Sequence, residues 1–232
     1  MQLFYCPEIQ HGINSLNNEE SLHCIKVLRN NTGDLITLMD GFGFFYEAVI
    51  LIASQKKVHF EIRKKWASPT RSYSLHIAIS PTKSNERFEW FLEKAAEIGV
   101  DEITPLICNH TERKVFKTQR MEKILLAASK QSLKAKLPLL HPQVQFKEFM
   151  KQSFIVDGFI AHCSPGLKMS LSSLATINSL ILIGPEGDFS KNEIEEALAH
   201  KFKPVSLGSF RLRTETAGII ACHTLSLKYE NS

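Results

Sequence analysis

The sequence of 232 residues has little that would suit a membrane, an oxidising compartment or a metal. It has no apolar run long enough to cross a bilayer and no charged-then-apolar leader. Its five cysteines are scattered, odd in number and without a Cys-x-x-Cys pair, which disfavours a disulfide framework and a zinc site. Its nine histidines are scattered as well, so no metal constellation stands out. These absences predict a soluble cytoplasmic protein without a bound metal.

Two nucleotide-binding signatures are also missing. No Gly-x-Gly-x-x-Gly follows a predicted strand, and no Gly-Lys-[Ser/Thr] loop is present, which argues against dinucleotide and triphosphate sites. The net charge of +4 permits an anionic partner without requiring one. With 44% hydrophobic residues, the chain can bury a core, as one large domain or as two smaller ones.

Residues 1–70 are predicted to form a small, mostly β domain. Strand-like runs cover Leu3–Tyr5, Leu35–Met39, Phe44–Ile52 and Val58–Ile62. A helix capped by Asn17 or Asn18 is expected between the first two strands. A helix followed by a meander suggests a small closed barrel. The pattern breaks around Trp66–Pro69, so we place the domain boundary near residue 70.

Between residues 71 and 232, strand-like runs alternate with helical patterns. Strands are predicted at 75–79, 103–108, 154–156, 159–161, 180–183 and 205–207. One helix is expected to end at Gly99, and a second covers 119–137 and ends before Pro138. This alternation predicts an α/β fold with a mostly parallel sheet and helices on both faces.

Two loops near the C-terminus have the pattern of a ligand site. Leu180–Ile183 is typical of a buried strand, and it ends at Gly184. Val205–Leu207 ends in the same way at Gly208, and a helix is expected to begin near Thr214. Open α/β sheets build nucleotide-sized sites from strand-end loops whose glycines allow the backbone to come close.

These loops resemble the signature of a known family. Gly184-Pro-Glu-Gly187 and Leu212-Arg-Thr-Glu-Thr-Ala217 are similar to motifs of the ribosomal RNA uridine-N3 methyltransferases of the SPOUT class, which modify a uridine of 16S ribosomal RNA. Further blocks, in the expected order, are His23-x-x-x-Val-Leu-Arg29, Gly33-Asp34, Arg87-x-Glu-Trp-x-x-Glu-Lys94, His110-Thr-Glu-Arg113 and Lys130-Gln-Ser132. The resemblance therefore covers nearly the whole chain.

The sequence departs from the family pattern at several positions. Asp188 follows Gly187 where a second glycine is usual, and Ser209-Phe210 replaces the more common Pro-Arg type of sequence. Lys130 stands at a usually acidic position, and Lys134 replaces the usual arginine. A lysine at 134 still allows phosphate pairing but weakens a planar, bidentate role.

The resemblance implies S-adenosyl-L-methionine as the methyl donor, held in a bent shape by a trefoil-knotted C-terminal domain at 71–232. It also implies a PUA-like, RNA-binding barrel at 1–70 and a homodimer. The cofactor-binding residues that it implies are Leu182, Ile183, Gly184, Pro185, Glu186, Gly187, Leu207, Gly208, Leu212, Arg213, Thr214, Thr216 and Ala217.

The implied chemistry needs a cation and an acceptor for a proton. The proton on N3 of uracil must leave, to a base or to water, while positive charge stabilises the anion. Arg213 is the candidate for that charge, and the alternative is a structural ion pair with Glu215 or Glu186. Glu186 is a candidate base or only a turn cap. Glu97 and Glu93 are further candidate bases, although glutamates on helix surfaces are more often solvated.

The candidate RNA-binding residues are basic side chains of both domains. They are Lys26, Arg29, Lys64, Lys65, Arg113, Lys130 and Lys134. If they share one face, they form a phosphate-binding surface with steep salt dependence. Phe42, Phe44 and Phe45 are candidates for stacking on unpaired bases, although core packing is expected for at least two of them.

We therefore expect a methyltransferase that acts on N3 of a uridine in 16S ribosomal RNA within the small subunit or its precursor. Two alternatives stay open. One is a related SPOUT enzyme that methylates a ribose 2′-hydroxyl or another base. The other is a non-catalytic RNA-binding protein that keeps the fold as a scaffold.

Overall fold

The computed structural model describes residues 2–112 and 117–229. The chain folds into two compact units. The first holds residues 1–70 with 126–137, and the second holds 71–125 with 138–232. None of the helices described is both long and apolar enough to cross a membrane.

The first unit contains a four-stranded sheet. Its strands are β1 (Leu3–Tyr5), β2 (Leu35–Met39), β3 (Phe44–Ile52) and β4 (His59–Ala67), in that spatial order. β1 is parallel to β2, and the other two pairs are antiparallel. β4 is longer than the predicted 58–62, so the basic run 63–65 lies inside the strand. In the described part of the chain no pairing joins β1 to β4, so the expected barrel is not closed by its outer strands.

A short helix covers this sheet. The helix α1 (Asn18–Leu22) is capped by Asn17, whose side chain accepts a hydrogen bond of 2.9 Å from the amide of Glu20. It continues as a π-helical turn over His23–Val27. Buried side chains such as Phe4, Leu38 and Phe60 form the core beneath it, since each offers a large apolar surface to the others.

The second unit contains a fully parallel sheet. Its strands are β5 (Ser74–Ile79), β6 (Glu102–Ile107), β7 (Leu139–Leu140), β8 (Val144–Gln145), β9 (Asp157–Ala161), β10 (Met169–Ser170), β11 (Asn178–Ile183) and β12 (Lys203–Ser206). The order is β10-β12-β9-β11-β5-β6-β7, and β8 also pairs with β6. The α/β prediction is confirmed. Its central strands are apolar on both faces because helices cover both.

Three predictions for this unit were wrong in detail. No strand forms at 154–156, and the strand expected at 159–161 is β9, which begins two residues earlier at Asp157. The helix expected over 119–137 is α3 (Thr118–Gln131) and ends six residues early. Leu133 beyond it adopts a left-handed conformation with φ of +55°, which an α-helix does not continue through. The strands β7, β8 and β10 have two residues each and were not predicted.

The remaining helices are α2 (Asn85–Ile98), α4 (Phe146–Met150), α5 (Leu171–Leu174), α6 (Lys191–Ala199) and α7 (Thr214–Tyr229). Ser190 and Glu193 form the capping box of α6. The helices α2 and α7 approach closely at Gly218, where an added Cβ would lie 2.6 Å from the ring of Phe91. The trefoil knot stays a prediction.

Candidate active site

The candidate site lies at the carboxyl ends of three neighbouring strands. β12, β9 and β11 are adjacent in the sheet, and the chain leaves them after Ser206, Ala161 and Ile183. Because all three are parallel, their C-terminal loops meet at one edge. This is the edge at which open α/β sheets bind ligands.

Two adjoining cavities lie between these loops. One, of about 280 Å³, is lined by the 205–212 segment and by the loop after β9. The other, of about 310 Å³, is lined by 183–186, 211–214 and Asp188. Ala161, Cys163, Arg211, Leu212 and Ala217 line both. Sites for small molecules begin at about this size, roughly 300 Å³.

Most of the cofactor-binding residues implied by the sequence line these cavities. They are Ile183, Gly184, Pro185, Glu186, Leu207, Gly208, Leu212, Arg213, Thr214 and Ala217. Three do not. Leu182 is buried in the core under the sheet, Gly187 packs against the side chain of His110, and Thr216 faces neither cavity.

Hydrogen bonds tie the two signature loops to each other. Thr214 Oγ1 donates to the carbonyl of Gly184 at 3.0 Å, and this contact is buried. Arg211 Nη2 donates to the carbonyl of Glu186 at 3.2 Å. Gly208 has a φ of +140°, and a Cβ added to it would meet no atom within 4 Å, so the space above its backbone is open. A ligand can therefore approach the main chain there.

A third loop of the site was missed by the sequence analysis. It follows β9 and contributes His162, Cys163 and Lys168 to the first cavity. Lys168 Nζ donates to the carbonyls of His162 and Ser164 at 2.8 and 2.6 Å, which holds the loop in a tight turn. Nothing in this stretch distinguishes it from an ordinary surface loop, so only the sheet order reveals it.

His162 lines this cavity and has a buried polar atom. Within residues 2–112 and 117–229, its Nδ1 is buried and has no hydrogen-bond partner. Burial lowers the pKa of His162, and the nearby Lys168 lowers it further, against an opposing effect of Asp188. A neutral ring whose nitrogen lacks a partner fits a polar ligand in this cavity.

The three candidate catalytic residues have different surroundings. Arg213 is exposed at the rim of the second cavity, and in the described chain it has no ion-pair partner. The alternative pairing with Glu215 or Glu186 is therefore not seen; Arg87 Nε lies 3.8 Å from Glu215 instead. Glu186 accepts a hydrogen bond of 3.0 Å from the amide of Lys83, as a loop-capping residue does.

Glu97 lies outside both cavities. It pairs with Lys94 on α2 at 2.9 Å, and the same Lys94 pairs with Glu93 at 2.8 Å. This is the ordinary behaviour of glutamates on a helix surface. A role for Glu97 as base stays a prediction without support from this geometry.

The candidate RNA-binding residues lie in the first unit, apart from Arg113, which is outside the described residues. Lys26 and Arg29 are exposed. Lys130 is held by Glu20, with its Nζ at 2.6 Å from the carboxylate, so its charge is already paired. Lys134 is half-buried.

Aromatic and basic side chains meet on the β3–β4 hairpin. The Nζ of Lys65 lies 4.1 Å from the ring centre of Phe44 and 5.2 Å from that of Tyr46. Phe42 is 65% exposed, whereas Phe45 is buried against Trp66. The expectation that at least two of the three phenylalanines are core residues was wrong, since only Phe45 is.

Comparison with known proteins agrees with this geometry. The RNA methyltransferase domain family matches residues 69–226, and the RNA methyltransferase PUA domain family matches residues 16–63. A ribosomal RNA small subunit methyltransferase E of Mesomycoplasma hyopneumoniae is 30% identical over 226 residues, covering 94% of this chain and 96% of the relative.

Solved structures agree as well. A probable rRNA-methyltransferase from Porphyromonas gingivalis has a TM-score of 0.93 and 38% identity, covering 100% of this chain and 99% of its own. A putative methyltransferase from Legionella pneumophila, solved with bound S-adenosylmethionine, has a TM-score of 0.86 and 28% identity, covering 98% and 97%.

The parallel sheet, the strand-end site and the family match together define the class, so the chain belongs to the RNA methyltransferase family. The sheet of the first unit matches the PUA-like domain of these enzymes. Within the class, the chain belongs to the ribosomal RNA small subunit methyltransferase E family.

Proposed function

We propose that this protein transfers a methyl group from S-adenosyl-L-methionine to N3 of a uridine in 16S ribosomal RNA of the small subunit. One observation supports this most: Gly184-Pro-Glu-Gly187 and Leu212-Arg-Thr-Glu-Thr-Ala217 meet at adjoining cavities at the sheet edge. A relative of the whole chain carries the ribosomal RNA methyltransferase name, and a putative methyltransferase of similar structure was solved with the cofactor bound.

The residues present fit this cofactor. Leu207 and Leu212 supply apolar walls for an adenosine, and the open backbone at Gly208 allows close approach. Polar groups that suit an amino acid moiety are the unpaired Nδ1 of His162 and the exposed Arg211 and Arg213. Bound S-adenosyl-L-methionine supplies an electrophilic methyl group.

Arg213 acts on the substrate in this proposal. A neutral uracil N3–H is not a nucleophile, so its proton must leave as the new bond to carbon forms. A guanidinium beside the ring lowers the pKa of that group and stabilises the anion. Arg213 is the suitable candidate because it is exposed at the cavity and free of an ion pair in the described chain.

Two other side chains of the loops have supporting roles. Glu186 accepts a hydrogen bond from the amide of Lys83 and so holds the second cavity in shape. Water is therefore the expected acceptor of the proton that leaves N3. Phe210 is 85% exposed and lines the first cavity. Its ring suits stacking on an unpaired base, which is how proteins commonly hold single-stranded RNA.

The first unit is proposed to bind the RNA. Exposed Lys26, Arg29, Lys64 and Lys65 supply phosphate contacts, and Phe42 and Phe44 supply rings. We propose residues 1–70 as the RNA-binding domain and 71–232 as the methyltransferase domain. A homodimer and a cytoplasmic location complete the proposal.

Labelled S-adenosylmethionine with 30S subunits from a strain that lacks the modification tests the reaction. The labelled nucleoside is then mapped, and subunits that already carry the modification serve as the matched control. We expect 3-methyluridine only in the first sample. A ribose-methylated product would contradict methylation at N3 and would favour a related enzyme that methylates a ribose 2′-hydroxyl. No label, together with no cofactor binding in calorimetry, would leave a non-catalytic scaffold.

A further inference from the structure

A group of polar side chains lies outside the two cavities of the candidate active site. His76 is the third residue of β5, Glu102 is the first residue of β6, and His141 directly follows β7. In the described part of the chain they are the one group of three His, Cys, Asp or Glu whose ligand atoms all lie within 4.8 Å of one another. Glu102 begins β6 and His76 lies in the first half of β5, whereas the cavities lie at the carboxyl ends of β9, β11 and β12.

The strand register explains why these side chains converge. His76 is the direct neighbour of Glu102, and Ile103 is the direct neighbour of Leu140. His141 therefore falls beside Thr104, and its amide continues the pairing by donating to the carbonyl of Ile103 at 2.9 Å. Because side chains alternate along a strand, residues 76, 102, 104 and 141 share one face of the sheet.

Existing contacts hold the two rings in place. His76 Nε2 lies 2.7 Å from Thr104 Oγ1, and His141 Nε2 lies 2.6 Å from Glu102 Oε2. The ring centres of the two histidines are 5.2 Å apart, and Phe149 packs edge-on against His76. The contact between His76 and Thr104 is the kind of hydrogen bond that commonly orients a metal-binding histidine, whereas an ion would take the place of the contact between His141 and Glu102.

From this arrangement we propose that His76, Glu102 and His141 form a binding site for a zinc-type divalent cation. Two imidazoles and one carboxylate are a ligand set that Zn²⁺ accepts, with water in the fourth position. Ligand atoms around a tetrahedral Zn²⁺ are about 3.3 Å apart, and the three ligand atoms here all lie within 4.8 Å of one another. Side chains of Glu102 and His141 are 39% and 33% exposed, which gives the ion and its water access.

The three proposed ligands come from three neighbouring strands or their ends. A bound ion would link β5, β6 and the two-residue β7, which has only two register pairs to hold it.

Zinc binding to untagged protein, first stripped with a chelator, tests the site. The background variant is Cys163→Ser, because Cys163 is the exposed thiol and a thiolate would bind zinc on its own. We expect one ion per chain by calorimetry and mass spectrometry, a higher melting temperature with Zn²⁺, and a tetrahedral Co²⁺ spectrum without thiolate bands.

Three variants in that background locate the site. His141→Ala and Glu102→Gln should each weaken zinc binding by at least about tenfold, and Thr104→Val should weaken it by a smaller factor. His11→Ala, at an exposed histidine of the first unit, is the matched control and should bind like the parent. Circular dichroism checks that each variant is folded.

The alternative is an ordinary hydrogen bond between His141 and Glu102 that needs no metal. In that case zinc changes neither the melting temperature nor the heat signal, and the proposal is wrong. Equal zinc uptake by the parent, His141→Ala and Glu102→Gln would place the ion elsewhere and would overturn the assignment as well. Neither result would bear on the methyltransferase proposal, because His76, Glu102 and His141 do not line the two cavities.

Discussion

The backbone amide of Cys163 donates a hydrogen bond of 2.7 Å to the carboxylate of Asp188. This contact joins the loop after β9 to the Gly-Pro-Glu-Gly loop after β11. Asp188 adopts a left-handed conformation with φ of +64°, which explains why glycine is usual there and why an aspartate is tolerated. Asp188 therefore lacks the conformational freedom of the usual glycine, but its side chain adds a hydrogen bond between two loops of the site.

Replacing Asp188 should therefore separate these two effects. Asp188→Ala loses the hydrogen bond from Cys163 and keeps the left-handed backbone, which is strained for alanine. We therefore expect the free energy of unfolding to fall by about 2 kcal/mol. Asp188→Gly also loses the bond but relieves the backbone, so its loss should be about 1 kcal/mol smaller. Urea unfolding measures both, and calorimetry should show weaker cofactor binding in each. Equal unfolding energies in the two variants would contradict this account.

Arg213→Ala should reduce turnover more than cofactor binding. The guanidinium is proposed to stabilise the uridine anion, and loss of one such group typically costs about a hundredfold in kcat. Single-turnover rates and calorimetry measure the two quantities. Arg211→Ala is the comparison variant: Arg211 lines the same cavity and is proposed to contact the cofactor, so its loss should weaken cofactor binding at least as much as it slows turnover. Similar losses in rate and affinity for Arg213→Ala would contradict the role.

Charge reversal on the β3–β4 hairpin should weaken RNA binding. Lys64→Glu with Lys65→Glu removes two proposed phosphate contacts, so the slope of log K against log salt should flatten by about 2. Cofactor affinity should not change. The matched control is Lys56→Glu with Lys57→Glu, which changes the net charge equally at an exposed turn of the same unit. An identical salt slope in both double variants would exclude Lys64 and Lys65 from the interface.

One thiol of the folded chain should react quickly with a disulfide reagent at pH 8. Cys163 is exposed, while the other four cysteines are buried. Burial raises the pKa of Cys6 to about 11 and that of Cys222 to about 12, so both are protonated and unreactive at this pH. We expect S-adenosylmethionine to slow the reaction, because Cys163 lines both cavities. In denaturant all five thiols should react, and folded Cys163→Ser should show no fast phase.

Gly218→Ala should destabilise the protein although alanine favours helices. An added Cβ would lie 2.6 Å from the ring of Phe91 and 2.9 Å from Ile79. Overpacking costs about 1–3 kcal/mol, whereas the gain in helix propensity is only about 1 kcal/mol. His223→Ala on the exposed side of α7 is the control for propensity alone. A more stable Gly218→Ala variant would show that Phe91 moves aside freely.

The elements that follow from the sequence are those with a strong local signal. The strand at Leu180–Ile183 is a short apolar run and the helix α2 has apolar periodicity, and both were predicted. The two-residue strands β7, β8 and β10 are too short to show a pattern of alternating apolar residues. The helix α3 ends early because of the backbone at Leu133, and nothing local announces that.

The site was predictable only as far as its motifs extend. Residues of the two signature loops were found because their sequences resemble a family. The loop with His162, Cys163 and Lys168 enters the site because β9 lies between β11 and β12, and strand order is a long-range property. The group His76, Glu102 and His141 was missed for the same reason, since its members meet only through the pairing of three strands.

The strand order also has a consequence for how the protein matures. β5 pairs residue by residue with β11, and β9 pairs with both β11 and β12, so every wall of the cavities depends on contacts between distant parts of the chain. Such pairings form slowly, because the chain loses the entropy of closing a long loop before the paired strands gain their contacts. During synthesis the cavities cannot assemble until Thr214 and Ala217 have left the ribosome. A newly made chain can therefore hold its cofactor only after the residues up to Ala217 have emerged and paired.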